Sequence, residues 1–422
     1  MRRGAVGPAA PRVGRRAALL TGAGASAALA AGGPVPGKAG LLITGQSNAG
    51  FFLEDGGIWT LNEGLAALLG IERARFDPRL DGFKDIDGYA LRDGAHRNPE
   101  MATTYGGTPL WAPGDRGAFL VHQAGADPSR WSRGDTGQAL DRFVRDLITA
   151  RDRADCLGVL WLHTEDDSRR MRMRDAETHA GAIRRHLALI RAAFGRPATG
   201  PGWLPAYGWA PIPYGDNPEG HRAVRAALAA VAADPQQNFR LAVPQTADSE
   251  GRDNGRDYSH RAADDLRAFA RRAAYAIARH RGGEAGGLPG PGPRIARATA
   301  EGPETTVAAV AHDRGRTLKA SRAALDGRGW SVLDEGQGRA VSAMELRGAD
   351  LIALRHEPCA GTPGRREVGY CLFGEQLGRG NAVTDDWGAR GGVPPRGLDP
   401  AAWRFDFPLQ ATLLPVAVER GR

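Results

Sequence analysis

Ser47 stands in Gly45-Gln46-Ser47-Asn48, directly after the short apolar run Gly40-Leu41-Leu42-Ile43-Thr44. A serine at the carboxyl end of an early strand lies where open α/β sheets bind ligands. A strand-to-helix turn there exposes the hydroxyl and aims backbone N–H groups at a developing oxyanion. Taken alone, the segment fits an ordinary Gly-Ser-Asn turn equally well. A second element of the same chemistry is Asp257-Tyr258-Ser259-His260. A carboxylate three residues before a histidine, at the predicted start of a helix, orients the imidazole through one ring nitrogen and leaves the other for a serine. The same residues also fit Asp257 as a helix cap and His260 as a solvated side chain.

Other chemistry is weaker. His163, Glu165, Asp166 and Asp167 follow a predicted strand, and four such side chains suit a divalent ion when further ligands converge. No HExxH motif or paired-histidine spacing supports that. Trp59, Trp111, Trp131, Trp161, Trp203 and Trp209 are able to stack on sugar rings, although aromatics at strand ends more often fill cores. Cys359 and Cys371 either bridge a loop, which stabilises by about 3 kcal/mol in the chain-entropy model, or remain two buried thiols.

Strand-type runs occur at Gly40 to Gly45, Cys156 to Leu162, Trp203 to Trp209 and Phe239 to Val243. Between and after them, Ala139 to Ala154, Asp175 to Phe194, His221 to Ala233 and His260 to Arg281 carry helical periodicity or alanine-rich helical composition. Strands alternating with helices predict an α/β parallel sheet with helices on both faces. Asn62 to Trp131 reads as long Gly- and Pro-containing loops. Gly282 to Pro293 (GGEAGGLPGPGP) reads as a linker. Beyond it Thr305 to His312, Leu351 to Arg355, Val368 to Phe373 and Ala411 to Val418 are short β-type runs between turns, the pattern of a small antiparallel β-sandwich.

Composition narrows the class further. The 422 residues, 42% hydrophobic and 25% charged, bury a sizeable core. Three cysteines exclude a disulfide-rich scaffold. The net charge of +8 is concentrated in the first 38 residues, where Arg2, Arg3, Arg12, Arg15, Arg16 and Lys38 meet no acid. The basic excess is therefore no signal for nucleic acid. Arg15-Arg16 before the mild apolar run Ala17 to Ala31, with Ala28-Leu29-Ala30 as a small-residue cleavage signal, predicts export of the twin-arginine type. A disordered Ala/Gly/Arg-rich terminus fits the same residues. No stretch is apolar enough for an obvious membrane span.

Four motifs in order resemble the SGNH hydrolases, and more narrowly the branch of sialate O-acetylesterases and carbohydrate esterase family six. They are Gly45 to Asn48, Gly106-Gly107-Thr108-Pro109-Leu110-Trp111, Trp161 to Asp167 (WLHTEDD), and Asp257 to His260. The resemblance implies a flavodoxin-like SGNH domain over residues 39–282, after a leader over 1–38. A linker over 283–292 and an accessory β-sandwich over 293–422 would follow. It further implies Ser47 as nucleophile, His260 as general base and Asp257 as the orienting carboxylate. Gln46, Asn48, Gly106, Gly107, His163 and Glu165 would line the oxyanion and substrate site. The substrate would be an acylated carbohydrate. No cofactor or metal, nucleic acid, membrane insertion or obligate protein partner is expected. One departure matters: His163-Thr164 stands where relatives carry Gln-Gly. A histidine also donates a hydrogen bond, but with different geometry and protonation. The alternative is an SGNH-type fold with impaired catalysis that binds glycans.

Overall fold

The computed structural model describes residues 40–45, 48, 51–52, 55–70, 156–162, 168, 171–193, 195–196, 199–200, 204–210, 217–252, 260–282, 287–361, 363–371, 376–392 and 394–417. The leader, the predicted helix Ala139 to Ala154 and the loop from residue 71 to Trp131 lie outside these.

The apolar runs form a four-stranded parallel sheet of β1 (Gly40–Gly45), β2 (Cys156–Leu162), β3 (Ala206–Trp209) and β4 (Phe239–Val243), in that spatial order. The reversal of strand order that defines a flavodoxin-like sheet is not found among the described strands. Helices cover both faces. On one face α1 (Gly57–Leu69) and α4 (Ala263–Gly282) pack with Leu157, Leu160, Leu162, Tyr207 and Trp209. On the other, α2 (Ala176–Ala193) and α3 (Pro218–Ala233) pack with Val159, Trp161, Ala206 and Phe239. From Val159 onward, alternate β2 side chains enter opposite cores, as the two-residue period of a strand requires. Trp161 and Trp209 are fully buried. Each contributes about 4–6 kcal/mol of gross transfer free energy, so both serve the core rather than a sugar-stacking surface.

Three expectations change. Asn62 to Leu69 is helix, not loop, because Ile58, Leu61 and Leu65 present one buried stripe to α4. Gly64 interrupts that stripe because the Trp403 ring and Ala274 occupy the space a Cβ would need. His260 is not helical. It lies in an extended segment, and α4 begins three residues later with Asp264 and Asp265 in its first turn, where carboxylates complement the helix dipole. The described part of the linker is packed: Pro289 and Gly290 are buried, and Asp313 accepts from both the Gly290 N–H and Arg279.

Beyond the linker, β5 (Arg294–Ala300), β6 (Thr305–Ala311), β7 (Trp330–Asp334), β8 (Gln337–Arg339), β9 (Val341–Arg347), β10 (Leu351–His356), β11 (Arg366–Tyr370) and β12 (Thr412–Ala417) form one eight-stranded sheet. Its order is β8-β7-β11-β12-β5-β6-β10-β9. All pairs are antiparallel except β12 with β5, so the sheet is mixed rather than wholly antiparallel. A two-stranded sheet pairs Leu318–Lys319 with Thr384–Asp385. Cys359 and Cys371 are both buried in the core beneath the large sheet and form no bridge. Trp387, Trp403 and Phe407 reach back into the core shared by α1 and α4. There the Tyr275 hydroxyl donates to the Trp403 carbonyl at 3.0 Å. Buried Asp385 ties down the same segment, accepting from the Phe407 N–H at 2.8 Å and the Trp387 N–H at 3.2 Å.

Candidate active site

The turn after β1 and the segment before α4 lie far apart in sequence and meet in space. Asn48 is fully buried, and its Oδ1 accepts the backbone N–H of Arg261 at 2.9 Å across 213 residues. Three residues beyond Asn48, the Phe51 ring meets the His260 ring edge-on, with centroids 5.0 Å apart at 82°. The guanidinium of Arg252 lies 3.7 Å from the Phe51 centroid and pairs with Asp55 at 2.7 Å. Phe51 thus touches both the imidazole and a cation.

The His260 segment is fixed by its own backbone as well. Gly251 and Arg261 form an antiparallel bridge, and the Ala262 N–H donates to the Glu250 carbonyl at 3.4 Å. Arg261 anchors the other end of the clamp. It is 2% exposed, donates from Nη1 to Ser249 Oγ at 2.7 Å and from Nη2 to the Ala210 carbonyl at 3.0 Å. Its guanidinium stacks on Phe269 at 4.0 Å and approaches Trp209 at 5.6 Å. A buried arginine held at several points is costly to displace, because every partner would be left unsatisfied in a low-dielectric core.

One turn after Arg261, Asp265 is buried and its pKa rises to about 6. Desolvation is the main cause, opposed by the Glu250 N–H and by the charges of Arg261 and Arg379. Its oxygens accept from the Glu250 N–H at 2.6 Å and from Arg379 Nη2 at 3.3 Å, tying the histidine segment to the chain beyond β11. Arg272 and Asp248 pair at 3.2 Å beneath it.

Of the catalytic, oxyanion and metal candidates singled out from the sequence, Asn48 and His260 are described and belong to one cluster. Gln46, Ser47, Gly106, Gly107, His163, Glu165, Asp166, Asp167 and Asp257 lie outside the described residues. Among the described residues, no group of three or more His, Cys, Asp or Glu side chains is placed to hold a metal ion. Sequence reasoning missed Arg261, Phe51 and Arg252. The one signal for them was adjacency: Arg261 follows His260, and Phe51-Phe52 follows the serine motif within five residues.

These elements define a mixed α/β protein: a parallel sheet flanked by helices, followed by a mixed sheet of eight strands and a two-stranded antiparallel one. No family model matches the chain, and no curated protein matches it. Among solved structures it is similar to a carbohydrate acetylesterase from Xanthomonas citri, at 15% identity and a TM-score of 0.43. That match covers 74% of this chain, which spans 60% of the length of that one. A second is the N-terminal part of the bacterial S-layer protein SbsC, at 8% identity and a TM-score of 0.19, covering 36% of this chain and 27% of that one. Among the described residues, no helix is long and apolar enough to cross a membrane.

Proposed function

We propose that the chain is a serine esterase that removes short acyl groups, acetyl above all, from carbohydrate hydroxyls through an acyl-Ser47 intermediate. The observation that carries this reading is the 2.9 Å bond from the Arg261 N–H to buried Asn48. It joins the covalent neighbour of His260 to the covalent neighbour of Ser47. Two turn motifs that each have a bland explanation alone have no structural need to be clamped together, whereas a nucleophile and its base do.

In this reading His260 takes the proton from Ser47 Oγ as the oxygen bonds to the acyl carbon. Backbone N–H groups at Ser47 and at Gly106 or Gly107, with His163 in the position of the family's glutamine, stabilise the oxyanion. Gln46 and Glu165 brace the site, and Asn48 holds the histidine segment from the buried side. Collapse of the tetrahedral intermediate breaks the bond to the sugar oxygen, which leaves with the proton from His260. A water then gives its proton to His260 and attacks the acyl carbon, and Ser47 departs reprotonated with release of the carboxylic acid. Asp257 orients the imidazole throughout. No cofactor takes part.

The reading extends to the rest of the chain. Residues 39–282 form an SGNH-type domain of the sialate O-acetylesterase kind, 293–422 an accessory β-sandwich, and the leader directs export by the twin-arginine route. The experiment is acetate release from p-nitrophenyl acetate by the parent, Ser47→Ala and His260→Ala proteins, each checked for native unfolding behaviour. Loss of turnover in both variants is expected. Equal rates in all three would refute the triad and favour the glycan-binding alternative, to which the His163-Thr164 departure already points.

A further inference from the structure

A recess opens at the carboxyl edge of the parallel sheet, and its case does not rest on the esterase reading. It is a cavity of about 400 Å³ between α3, the end of β4 and the start of β12. That volume falls within the range of small-molecule sites. Ala210, just past β3, and Gln245, just past β4, place it on the edge where open α/β sheets bind ligands. It lies at the β3–β4 end, two to three strands or about 10–14 Å from β1, and shares Ala210 with the Arg261 clamp.

The lining is one-sided in charge. Arg222 and Arg225 face it from successive turns of α3, and no Asp or Glu is among the described residues that line it. Arg225 is partly committed, donating from Nη1 to the Cys371 carbonyl at 3.3 Å. Arg222 is half-buried, and among the described residues it makes no hydrogen bond or ion pair. Two cations three residues apart on a helix repel each other, a cost that an anion between them reverses. The wall beside them is built rather than incidental. Buried Gln245 is fixed from both ends, its Oε1 accepting from His221 Nε2 at 2.7 Å and its Nε2 directed at Cys371 Sγ at 3.8 Å. Leu228, Leu241 and Leu413 supply apolar lining.

We propose that this cavity binds a small organic anion, its oxyanion group held by Arg222 and Arg225 and its carbon body against the leucines. A carboxylate and a phosphate monoester share the required chemistry, since both take the guanidinium fork.

The test is calorimetric titration of the full chain with glucuronate, glucose 6-phosphate, inorganic phosphate and glucose. One-site binding of glucuronate or glucose 6-phosphate is expected, with none for glucose, and the stronger of the two identifies the anionic group. Arg222→Gln should weaken that binding about tenfold or more, and Arg222→Lys should recover part of it. Ala229→Trp, at an exposed lining position, should block binding without altering the unfolding midpoint. Absence of binding by both organic anions would overturn the proposal, as would affinities unchanged in Arg222→Gln and Ala229→Trp. Inorganic phosphate binding as tightly as glucose 6-phosphate would also overturn it, by reducing the site to one for a bare ion.

Discussion

Asn48→Ala tests the clamp that joins the two motifs. The substitution removes the acceptor of the Arg261 N–H, which lies in a residue only 2% exposed, so water does not readily replace it. An orphaned buried donor costs about 1–3 kcal/mol, and urea unfolding should show a loss of that size at an unchanged m-value. The same bond sets where the His260 segment sits, and a misplacement of about 1 Å at a reacting group costs on the order of 100-fold in rate. If the esterase reading holds, kcat for p-nitrophenyl acetate should therefore fall about 10- to 100-fold with KM little changed. Asn48→Asp, which keeps an acceptor oxygen for the same N–H, should recover part of the rate. Stability within about 0.5 kcal/mol of the parent would show that the bond is not made. Lost stability with an unchanged kcat would make it purely structural and refute its positioning role.

Phe51→Leu removes the edge contact to His260, worth about 0.5–1.5 kcal/mol, and should lower kcat about 2- to 10-fold in the same assay. Tyr275→Phe leaves the Trp403 carbonyl without its buried donor and should cost about 1 kcal/mol in urea unfolding. Stability should also fall as the solution is acidified. Burial pushes the pKa values of His179, His221 and His280 down to about 3, so the unfolded chain takes up three protons below pH 6.5 that the folded chain refuses. Asp265 and Asp385, raised to about 6 chiefly by desolvation, oppose this because the folded chain binds their protons first. Between pH 6 and 4 the balance is about one proton, or about 1.4 kcal/mol lost per pH unit. Unfolding midpoints at pH 7.5 and 5.0 check this, and a more stable protein at pH 5.0 would contradict it.

Strands β1 and β2 were legible because each is a short continuous apolar run, the signature of a strand buried on both faces, whereas exposed Arg240 interrupts the run at β4. Strands β1, β2 and β4 begin and end where those runs do. Helix α1 was hidden by Gly57 and Gly64, whose small size serves close packing against Phe52, Trp403 and Ala274, and by Gly56, which caps the helix at a φ of 88°. His260 looked helical because the true start signal, Asp264-Asp265, lies just beyond it. Among the site residues, serine and histidine were legible as chemical types in a suggestive order. Arg261 was not, since nothing local distinguishes a buried arginine in a chain with 56 Lys and Arg residues. The return of Trp387, Trp403 and Phe407 into the first core is likewise long-range, and no local pattern encodes it.

The proposed hydrolysis rests on Ser47 as a nucleophile activated by His260. Its most direct test is labelling of the folded protein with a fluorophosphonate, followed by peptide mapping. A single adduct on the Ser47 peptide is expected, with labelling slowed about 100-fold or more in His260→Ala. An unmodified Ser47, or labelling that proceeds equally without the imidazole, would contradict it.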